Sequence, residues 1–85
     1  MYYVYILRNE KGETYTGYTS DLRKRLKSHK DGRNESTRGH QWELIYYEAY
    51  KAEQDARNRE TKLKESSQAK RFLKERIKQS LEVSE

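Results

Sequence analysis

The sequence predicts a small α+β domain (α/β in the broad sense), in which three helices flank a three-stranded antiparallel sheet in the order β-β-α-β-α-α. Three runs rich in aromatic and β-branched residues, at 2–8, 13–18 and 41–50, are typical of strands. Apolar residues at helical spacing then follow the second and the third run. The 85 residues correspond to a single domain spanning 1–85, and no repeat or linker divides them.

The first two strands are predicted to form a hairpin. Four residues, of which the last is Gly12, separate the runs 2–8 and 13–18. A three-residue loop with glycine in the left-handed conformation is a common way to close such a hairpin. We therefore expect Gly12 to have a positive φ and the two strands to pair antiparallel.

The register of this hairpin decides which side chains face each other. The three-residue loop places Tyr5 opposite Gly17 and Leu7 opposite Tyr15, so the two tyrosines and the glycine share one face of the sheet. A two-residue loop would instead put the two tyrosines on opposite faces. Because a glycine within a strand often marks the close approach of a ligand or of another part of the chain, Tyr5 and Tyr15 are candidate functional residues. The other tyrosines are typical of sheet packing.

The first helix should begin near residue 20. Thr19 or Ser20 can cap it, and Asp21 in its first turn complements the positive end of the helix. Gly32 is a suitable stop. The inward-facing stripe of this first helix consists of three residues at i, i+4 and i+7, namely Leu22, Leu26 and His29.

The second half of the chain supplies the third strand and two more helices. The strand covers 41–50 and the second helix covers 52–64, while Ser66 or Ser67 begins the third helix. The second helix carries its apolar residues along one face, namely Ala52, Ala56 and Leu63. The inward stripe of the third helix is Ala69, Phe72, Leu73, Ile77 and Leu81.

Composition narrows the function classes. Cysteine is absent, which excludes disulfides and thiolate-bound metals. Neither a signal peptide nor a run of membrane-spanning length is found, so we expect a cytoplasmic protein. The net charge is +5, and residues 19–40 hold seven Lys or Arg against three Asp or Glu. A basic zone of this kind suits a polyanion, although a solvated helix face explains the charge equally well.

Three polar residues are candidates because of where the helices place them. Arg25 and His29 lie one turn apart beside the apolar stripe of the first helix. A guanidinium at the edge of the core needs an anionic partner, which is either a bound ligand or a neighbouring Asp or Glu. Glu60 lies on the inward side of the second helix, where a carboxylate must be paired, neutralised or bound to a metal. From spacing alone, an exposed ion pair with Lys64 is the favoured explanation of Glu60.

Together these residues resemble the GIY-YIG nuclease superfamily, and in particular its small single-domain bacterial branch. Its two signature triplets correspond to Tyr3-Val4-Tyr5 and Tyr15-Thr16-Gly17. The resemblance covers about residues 1–75 and leaves 76–85 as the end of the third helix and a tail. The other matching residues and segments, in chain order, are Thr19–Leu22, Arg25, Leu26, His29, Ser36–Gly39, Leu44–Glu48 and Arg59–Lys64.

The sequence also departs from the family pattern. Tyr3 replaces the glycine of the first triplet, while Val4 and Thr16 replace the two isoleucines. The resemblance implies that these side chains are not the reactive ones, so the chemistry should survive. Residues 65–67 replace a Gly-Trp pair that is frequent in relatives, which implies different contacts for the third helix. No late asparagine like that of the homing enzymes can be assigned.

The resemblance implies metal-dependent hydrolysis of DNA phosphodiester bonds, with selectivity for DNA structure and a role in repair or recombination. Five residues take the places of the family's active residues, with Gly17 as a structural residue beside them: Tyr5, Tyr15, Arg25, His29 and Glu60. Glu60 would bind one Mg²⁺ or Mn²⁺ ion, and Arg25 would donate to a phosphate oxygen. Either Tyr5 or Tyr15 would orient or deprotonate the attacking water, with help from His29. The metal and Arg25 are expected to lower the pKa of that tyrosine.

The expected partner is DNA, whose phosphates would be contacted by Arg23, Lys24, Lys27 and Arg38. We expect a monomer without membrane association, whose selectivity comes from DNA structure or from a protein partner. Two alternatives stand beside the nuclease. One is a catalytically inactive nucleic-acid-binding module, and the other is an interaction domain whose tyrosine-rich face packs on a protein. Retention of all five candidate polar residues favours the nuclease, and the basic zone disfavours the interaction domain.

Overall fold

The computed structural model describes residues 1–83 and confirms the predicted fold class. The strands are β1 (Tyr2–Asn9), β2 (Thr14–Thr19) and β3 (Trp42–Tyr50). The helices are α1 (Leu22–Lys30), α2 (Glu53–Glu65), α3 (Ser67–Arg76) and α4 (Lys78–Glu82), and a short 3-10 turn spans Glu35–Thr37. Residues 84 and 85, the end of the predicted tail, lie outside the described residues. None of the helices in residues 1–83 combines the length and the apolar content that a membrane span requires.

The sheet is antiparallel and has β1 at its centre, in the order β2-β1-β3. The run from Val4 to Leu7 is buried because both faces of this central strand are covered. On one face, called the core face here, Val4 and Ile6 join a hydrophobic core whose other buried members are Ala56, Leu63, Leu73 and Ile77. The opposite face carries Tyr5 and is called the Tyr5 face.

The β1–β2 hairpin has the predicted register. Tyr5 pairs with Gly17, so Tyr5 and Tyr15 share one face of the sheet. Gly12 has a φ of +81°, the left-handed conformation that the three-residue loop was predicted to need. The buried side chain of Asn9 holds the loop, since its Oδ1 accepts two backbone N–H groups at 2.9 and 3.0 Å.

A β-bulge lies between β1 and β3. The pairing register shifts by one residue between Ile6 and Leu7, which leaves Ile45 as the extra residue of β3. Because side chains alternate along a strand, this extra residue changes which side chains of β3 lie on each face. Trp42 thereby lies on the Tyr5 face of the sheet.

The start of α1 differs from the prediction by one or two residues. Its cap is Asp21, whose Oδ1 accepts an N–H of the first turn at 3.0 Å, and not Thr19 or Ser20. The buried Thr19 hydroxyl instead accepts the N–H of Asp21 at 3.1 Å and shapes the turn into the helix. The helix ends at Lys30, and Gly32 with a φ of +72° follows, which confirms the predicted stop.

The predicted third helix is divided into α3 and α4. The break is at Ile77, whose φ and ψ are −104° and 23° and whose side chain is buried in the core. The guanidinium of Arg8 donates to the carbonyl oxygens of Leu81 and Val83, at the end of α4. These contacts hold α4 near the sheet, and the chain bends at Ile77 to reach them.

Two inward stripes were predicted too wide. Phe72 is 62% exposed, so its place in the core was wrong, whereas Leu73 beside it is buried. On α1 only His29 is buried, while Leu22 and Leu26 are half-buried. Periodicity marks the side of a helix that faces inward, but the neighbouring elements decide how much of that side they cover.

A polar cluster fixes α2 on β3. The Nε of Arg59 lies 3.0 Å from a carboxylate oxygen of Glu48, and the hydroxyl of Tyr46 donates to the same carboxylate at 2.5 Å. The Tyr50 hydroxyl also donates to it. Burial, followed by the hydrogen-bonded carboxylate, raises the pKa of both phenols to about 12. Glu60 follows Arg59 on α2, so this cluster also positions Glu60.

Candidate active site

The Tyr5 ring lies against the backbone of Gly17. A Cβ placed on Gly17 would lie 2.8 Å from Cε1 of Tyr5, and closer still to Cζ and the hydroxyl oxygen. Carbon atoms in contact are normally about 3.5–4.0 Å apart. Only glycine at position 17 therefore lets the fully buried Tyr5 side chain, 0% exposed, occupy its place.

A short series of hydrogen bonds begins at the Tyr5 hydroxyl. The Tyr5 hydroxyl lies 2.7 Å from Nε2 of His29, and Nδ1 of the same imidazole lies 2.7 Å from Oγ1 of Thr37. Thr37 belongs to the 3-10 turn before β3, and all three side chains are buried. The helix α1 thus connects the central strand to the turn through a single imidazole.

The protons in this series of hydrogen bonds can be assigned by starting from Thr37. The Thr37 hydroxyl donates to the carbonyl oxygen of Asn34 at 3.4 Å, so its oxygen is left to accept the Nδ1–H of His29. In the tautomer assigned from this hydrogen-bond pattern, Nε2 of His29 carries no proton and accepts the hydroxyl hydrogen of Tyr5. The arrangement gives Tyr5 a built-in proton acceptor.

Burial and nearby charges keep both Tyr5 and His29 in their neutral forms. Burial is the main cause that raises the pKa of Tyr5 well above its usual value near 10, and the negative forms of Tyr15 and Glu60 add to it. Burial, followed by the charge of Arg25, lowers the pKa of His29. The charge of Arg25 acts in the expected direction and lowers the pKa of Tyr5, but burial outweighs it in the free protein; the expected effect of a bound metal ion stays a prediction. His29 is neutral at pH 7.

Arg25 lies at the same site. Its charge acts on both Tyr5 and His29, and its side chain is half-buried one turn before His29. The alternative of an ion pair with a nearby Asp or Glu is not found in residues 1–83. The planar guanidinium therefore has donors available for an anion that enters the site.

Glu60 combines both of its predicted environments. Its Oε2 lies 3.2 Å from Nζ of Lys64, which is the i,i+4 ion pair, yet its side chain is only 21% exposed. Its charge acts on Tyr5, so it lies near the buried phenol. The Lys64 ammonium also lies over the Tyr15 ring, 6.0 Å from the centroid. Glu60 is thus connected to Tyr15 through Lys64, and its charge, like that of Arg25, acts on the Tyr5 phenol.

Aromatic rings close the site on the side of β2 and β3. The Tyr15 ring lies 6.4 Å from that of Tyr5, 5.4 Å from that of His29 and 6.2 Å from that of Trp42, measured between centroids. The Trp42 indole N–H donates to the carbonyl oxygen of Thr37 at 2.7 Å and holds the 3-10 turn.

Thr37 and Trp42 were not predicted as site residues. Thr37 lies in the segment Ser36–Gly39 that resembles the family, but no local pattern shows that it contacts His29. Trp42 is the sole tryptophan, and only the bulge in β3 brings it to the Tyr5 face.

The four predicted DNA-contact residues are all exposed, and three of them belong to α1: Arg23, Lys24, Lys27 and Arg38. Arg38 follows the 3-10 turn, and its Nε donates to the carbonyl oxygen of Gly32 at 3.4 Å. Their exposure leaves them accessible to a polyanion, and their role in DNA binding stays a prediction.

The residues of the site are compatible with a hard divalent cation. In the described part of the chain, no three His, Cys, Asp or Glu side chains are close enough to form a protein-only metal cage. Mg²⁺, however, is usually held by one or two carboxylates together with waters and substrate phosphates. The partly exposed carboxylate of Glu60 beside the phenols provides that kind of ligand.

Several relatives share most of this chain. A UPF0213 protein (CPE1444) of Clostridium perfringens is 39% identical over 66 residues, which cover 75% of this chain and 71% of the relative. A UPF0213 protein of Bacillus pumilus is 35% identical over 74 residues, or 85% of this chain and 76% of the relative. The solution NMR structure of the UPF0213 protein BH0048 from Bacillus halodurans superposes with a TM-score of 0.55 at 36% identity, and the match covers 86% of this chain and 81% of that one.

The sequence model of the GIY-YIG catalytic domain matches residues 1–79, which include every residue of the site described above. On this match and on the identity to its bacterial relatives, the chain belongs to the GIY-YIG catalytic domain family.

Proposed function

We propose that this protein is a divalent-metal-dependent endonuclease that hydrolyses DNA phosphodiester bonds. The membership of the family indicates nuclease-like chemistry. The observation that carries the finer proposal is the hydrogen-bond chain from Tyr5 through His29 to Thr37, next to the charges of Arg25 and Glu60. Any buried phenol needs a hydrogen-bond partner, but here the partner is an imidazole, a group that can also take up a proton near neutral pH.

Tyr5 acts as the proton acceptor for the attacking water, and His29 makes this feasible. A free tyrosinate is scarce at neutral pH, and burial of Tyr5 makes it scarcer still. The phenol can instead take the water proton while it passes its own proton to Nε2 of His29, 2.7 Å away. Thr37 accepts the Nδ1–H of His29 before and after the transfer, so Nε2 is the nitrogen that takes up the proton and His29 becomes an imidazolium. A positioned acceptor of this kind contributes about 10²–10⁴-fold to rate.

The path to Tyr5 must open before this transfer. The side chain is closed to solvent in the free protein, so water reaches its hydroxyl only in the complex with DNA. Catalytic contacts often tighten only when substrate binds, so closure in the free protein is compatible with the role. Tyr15 borders the same space and is partly exposed, which suits it to orient the water.

Two charged groups complete the site. Arg25 donates to a non-bridging phosphate oxygen, where its fork matches the geometry of a phosphate. Glu60 would hold one Mg²⁺ or Mn²⁺ ion, which when bound neutralises charge on the phosphoryl group and on the leaving oxygen. Lys64 holds the Glu60 carboxylate in the free protein.

DNA would bind across the exposed basic residues of α1 and of the loop after it. Phosphate contacts of this kind position the duplex without reading its sequence. If Arg23, Lys24, Lys27 and Arg38 neutralise four phosphates, log K against log salt should have a slope of about −3.6. The proposal extends to a cytoplasmic monomer that selects DNA by its structure or through a protein partner, and that acts in repair or recombination.

The test is cleavage of single-stranded, duplex and branched DNA in Mg²⁺, Mn²⁺ or EDTA. Cleavage should disappear both in EDTA and in Glu60→Gln. Glu65→Gln, an exposed carboxylate on the same helix, is the matched control and should cut like the wild type. Equal cutting by Glu60→Gln would remove Glu60 from the mechanism.

A second candidate is an inactive nucleic-acid-binding module. The observation that favours it is the complete burial of Tyr5. Binding of all three substrates without cleavage under any metal condition would select this module over the nuclease.

A further inference from the structure

A groove of about 320 Å³ lies on the core face, between the outer strand β2 and the helices α3 and α4. Its floor is aliphatic and includes Ile45, Leu73 and Leu81. Its rim carries Lys64, Lys70 and Lys74. A volume near the lower end of small-ligand sites, which span about 300–1,000 Å³, suits one compact ligand better than a docked helix.

The charge around this groove is of one sign. Among residues 1–83, no acidic side chain lines it. Lys70 and Lys74 lie one turn apart on α3, a like-charge i,i+4 spacing that destabilises a helix. Neither forms an ion pair within residues 1–83. An anion held between them would relieve the repulsion, so the groove is complementary to a ligand with one negative and one apolar part.

The groove shares two side chains with the candidate active site. Tyr15 and Lys64 line it, and the same two side chains border Glu60 and the Tyr5 ring. A chain that enters the site from the basic surface of α1 and continues past Tyr15 would run along β2 into the groove. Thr14 and Thr16 of β2 supply hydroxyl groups along that path.

We propose that this groove binds the nucleotide next to the scissile phosphate, with its base unstacked on the aliphatic floor and its phosphate between Lys70 and Lys74. The inference rests on the proposed function of the adjoining site, because that site acts on a phosphodiester. It narrows the substrate class to DNA in which a nucleotide beside the cut can leave the stack, such as a duplex with a single-stranded overhang. A blunt duplex would have to lose a base pair first.

Binding is measured in EDTA, so that affinity is separated from cleavage. Fluorescence anisotropy compares a duplex that has a single-stranded overhang with a blunt duplex of the same sequence. The test variant is Lys70→Gln/Lys74→Gln, and the matched control is Arg71→Gln/Lys78→Gln, which removes the same charge from exposed positions outside the groove. The test variant should lose affinity for the overhang, and its log–log salt slope should be less steep by about 0.7, the contribution of one phosphate contact on a single strand.

The base contact is tested with the wild-type protein. An overhang with an abasic nucleotide at the position next to the duplex should bind roughly tenfold more weakly than the intact overhang, because the apolar surface that the base buries on the aliphatic floor is lost. Equal affinity for the two would overturn the base-binding part and with it the proposal. If the test and control variants lost the same affinity for the overhang, Lys70 and Lys74 would contribute only general electrostatic attraction. That result would also overturn the proposal.

Two further outcomes separate this inference from the proposed nuclease. If the test variant cuts and binds overhang and blunt DNA like the wild type, the groove assignment fails while the nuclease stands. If the wild type cuts nothing but binds the overhang through the groove, the nuclease fails while the groove assignment stands. A concentration-dependent dimer that the test variant loses would assign the groove to a second copy of the chain and overturn the proposal.

Discussion

The replacement Gly17→Ala tests the geometry on which the site depends. The added methyl group would lie 2.8 Å from Cε1 of Tyr5 and closer to the tip of the ring, where about 3.5–4.0 Å is normal. The ring must therefore move by roughly 1 Å. Because the hydroxyl oxygen is itself one of the atoms that the methyl group displaces, we expect a shift of that size to break the 2.7 Å hydrogen bond and leave Nε2 of His29 without a partner.

Two costs add in this variant. Overpacking a buried position typically costs about 1–3 kcal/mol. A buried acceptor left without its hydrogen bond costs about 1–3 kcal/mol more. We expect the free energy of unfolding to fall by about 2–6 kcal/mol, a large part of the 5–15 kcal/mol typical of a domain. Position 17 does not have a positive φ, so without the clash alanine would be tolerated or slightly stabilising.

Urea unfolding of a double-mutant cycle with Tyr5→Leu isolates this clash. In the Tyr5→Leu background the long aromatic ring is gone, so Gly17→Ala should lose most of its cost, with a coupling of at least about 1 kcal/mol. Gly39→Ala is the control, because its Cβ meets nothing within 4 Å and its cost comes from a φ of +90° alone. If Gly17→Ala lowered the free energy of unfolding equally in the wild-type and Tyr5→Leu backgrounds, the argument from the close approach of the Tyr5 ring would be refuted.

Three further outcomes follow from the site. Tyr5→Phe should lower the cleavage rate by about a hundredfold or more and keep the DNA affinity, whereas Tyr15→Phe should lower the rate less. Single-turnover kinetics measures both rates. If Tyr15→Phe lost more rate than Tyr5→Phe, the roles of the two tyrosines would be exchanged. His29 has a lowered pKa in the folded protein, so its contribution to stability is complete above the unfolded value near 6.5 and is lost as the pH falls. The decline in unfolding free energy between pH 7 and 5 should therefore be shallower in His29→Gln, and identical pH profiles would contradict the buried neutral imidazole. Arg25→Ala should lose rate but keep most DNA affinity, whereas Lys24→Ala should keep rate and make the salt slope less steep by about 0.9; equal effects on binding would deny Arg25 a specific role.

Local rules account for the parts of the site that lie close together in the sequence. The loop that ends at Gly12 sets the register that places Tyr5 over Gly17, and hairpin geometry needs no distant contact. Helical spacing likewise puts Arg25 one turn before His29. The inward position of Glu60 and its ion pair with Lys64 follow from the period of α2 as well.

The contacts between distant segments were decided by the tertiary structure. The hydrogen bond from His29 to Thr37 joins residues whose separation carries no periodic signal, and Trp42 reaches the same face only because a bulge in β3 shifts the strand by one residue. Burial of Phe72 failed as a prediction because the helix period marks a side, while coverage depends on which elements pack there. The sequence by itself determined the elements, the hairpin register and the candidate side chains, since these follow from near-neighbour sterics. Only the folded chain decided the proton acceptor of Tyr5, the raised pKa of its phenol and the lysine-rimmed groove, because burial and through-space charge arise from surfaces that meet after folding.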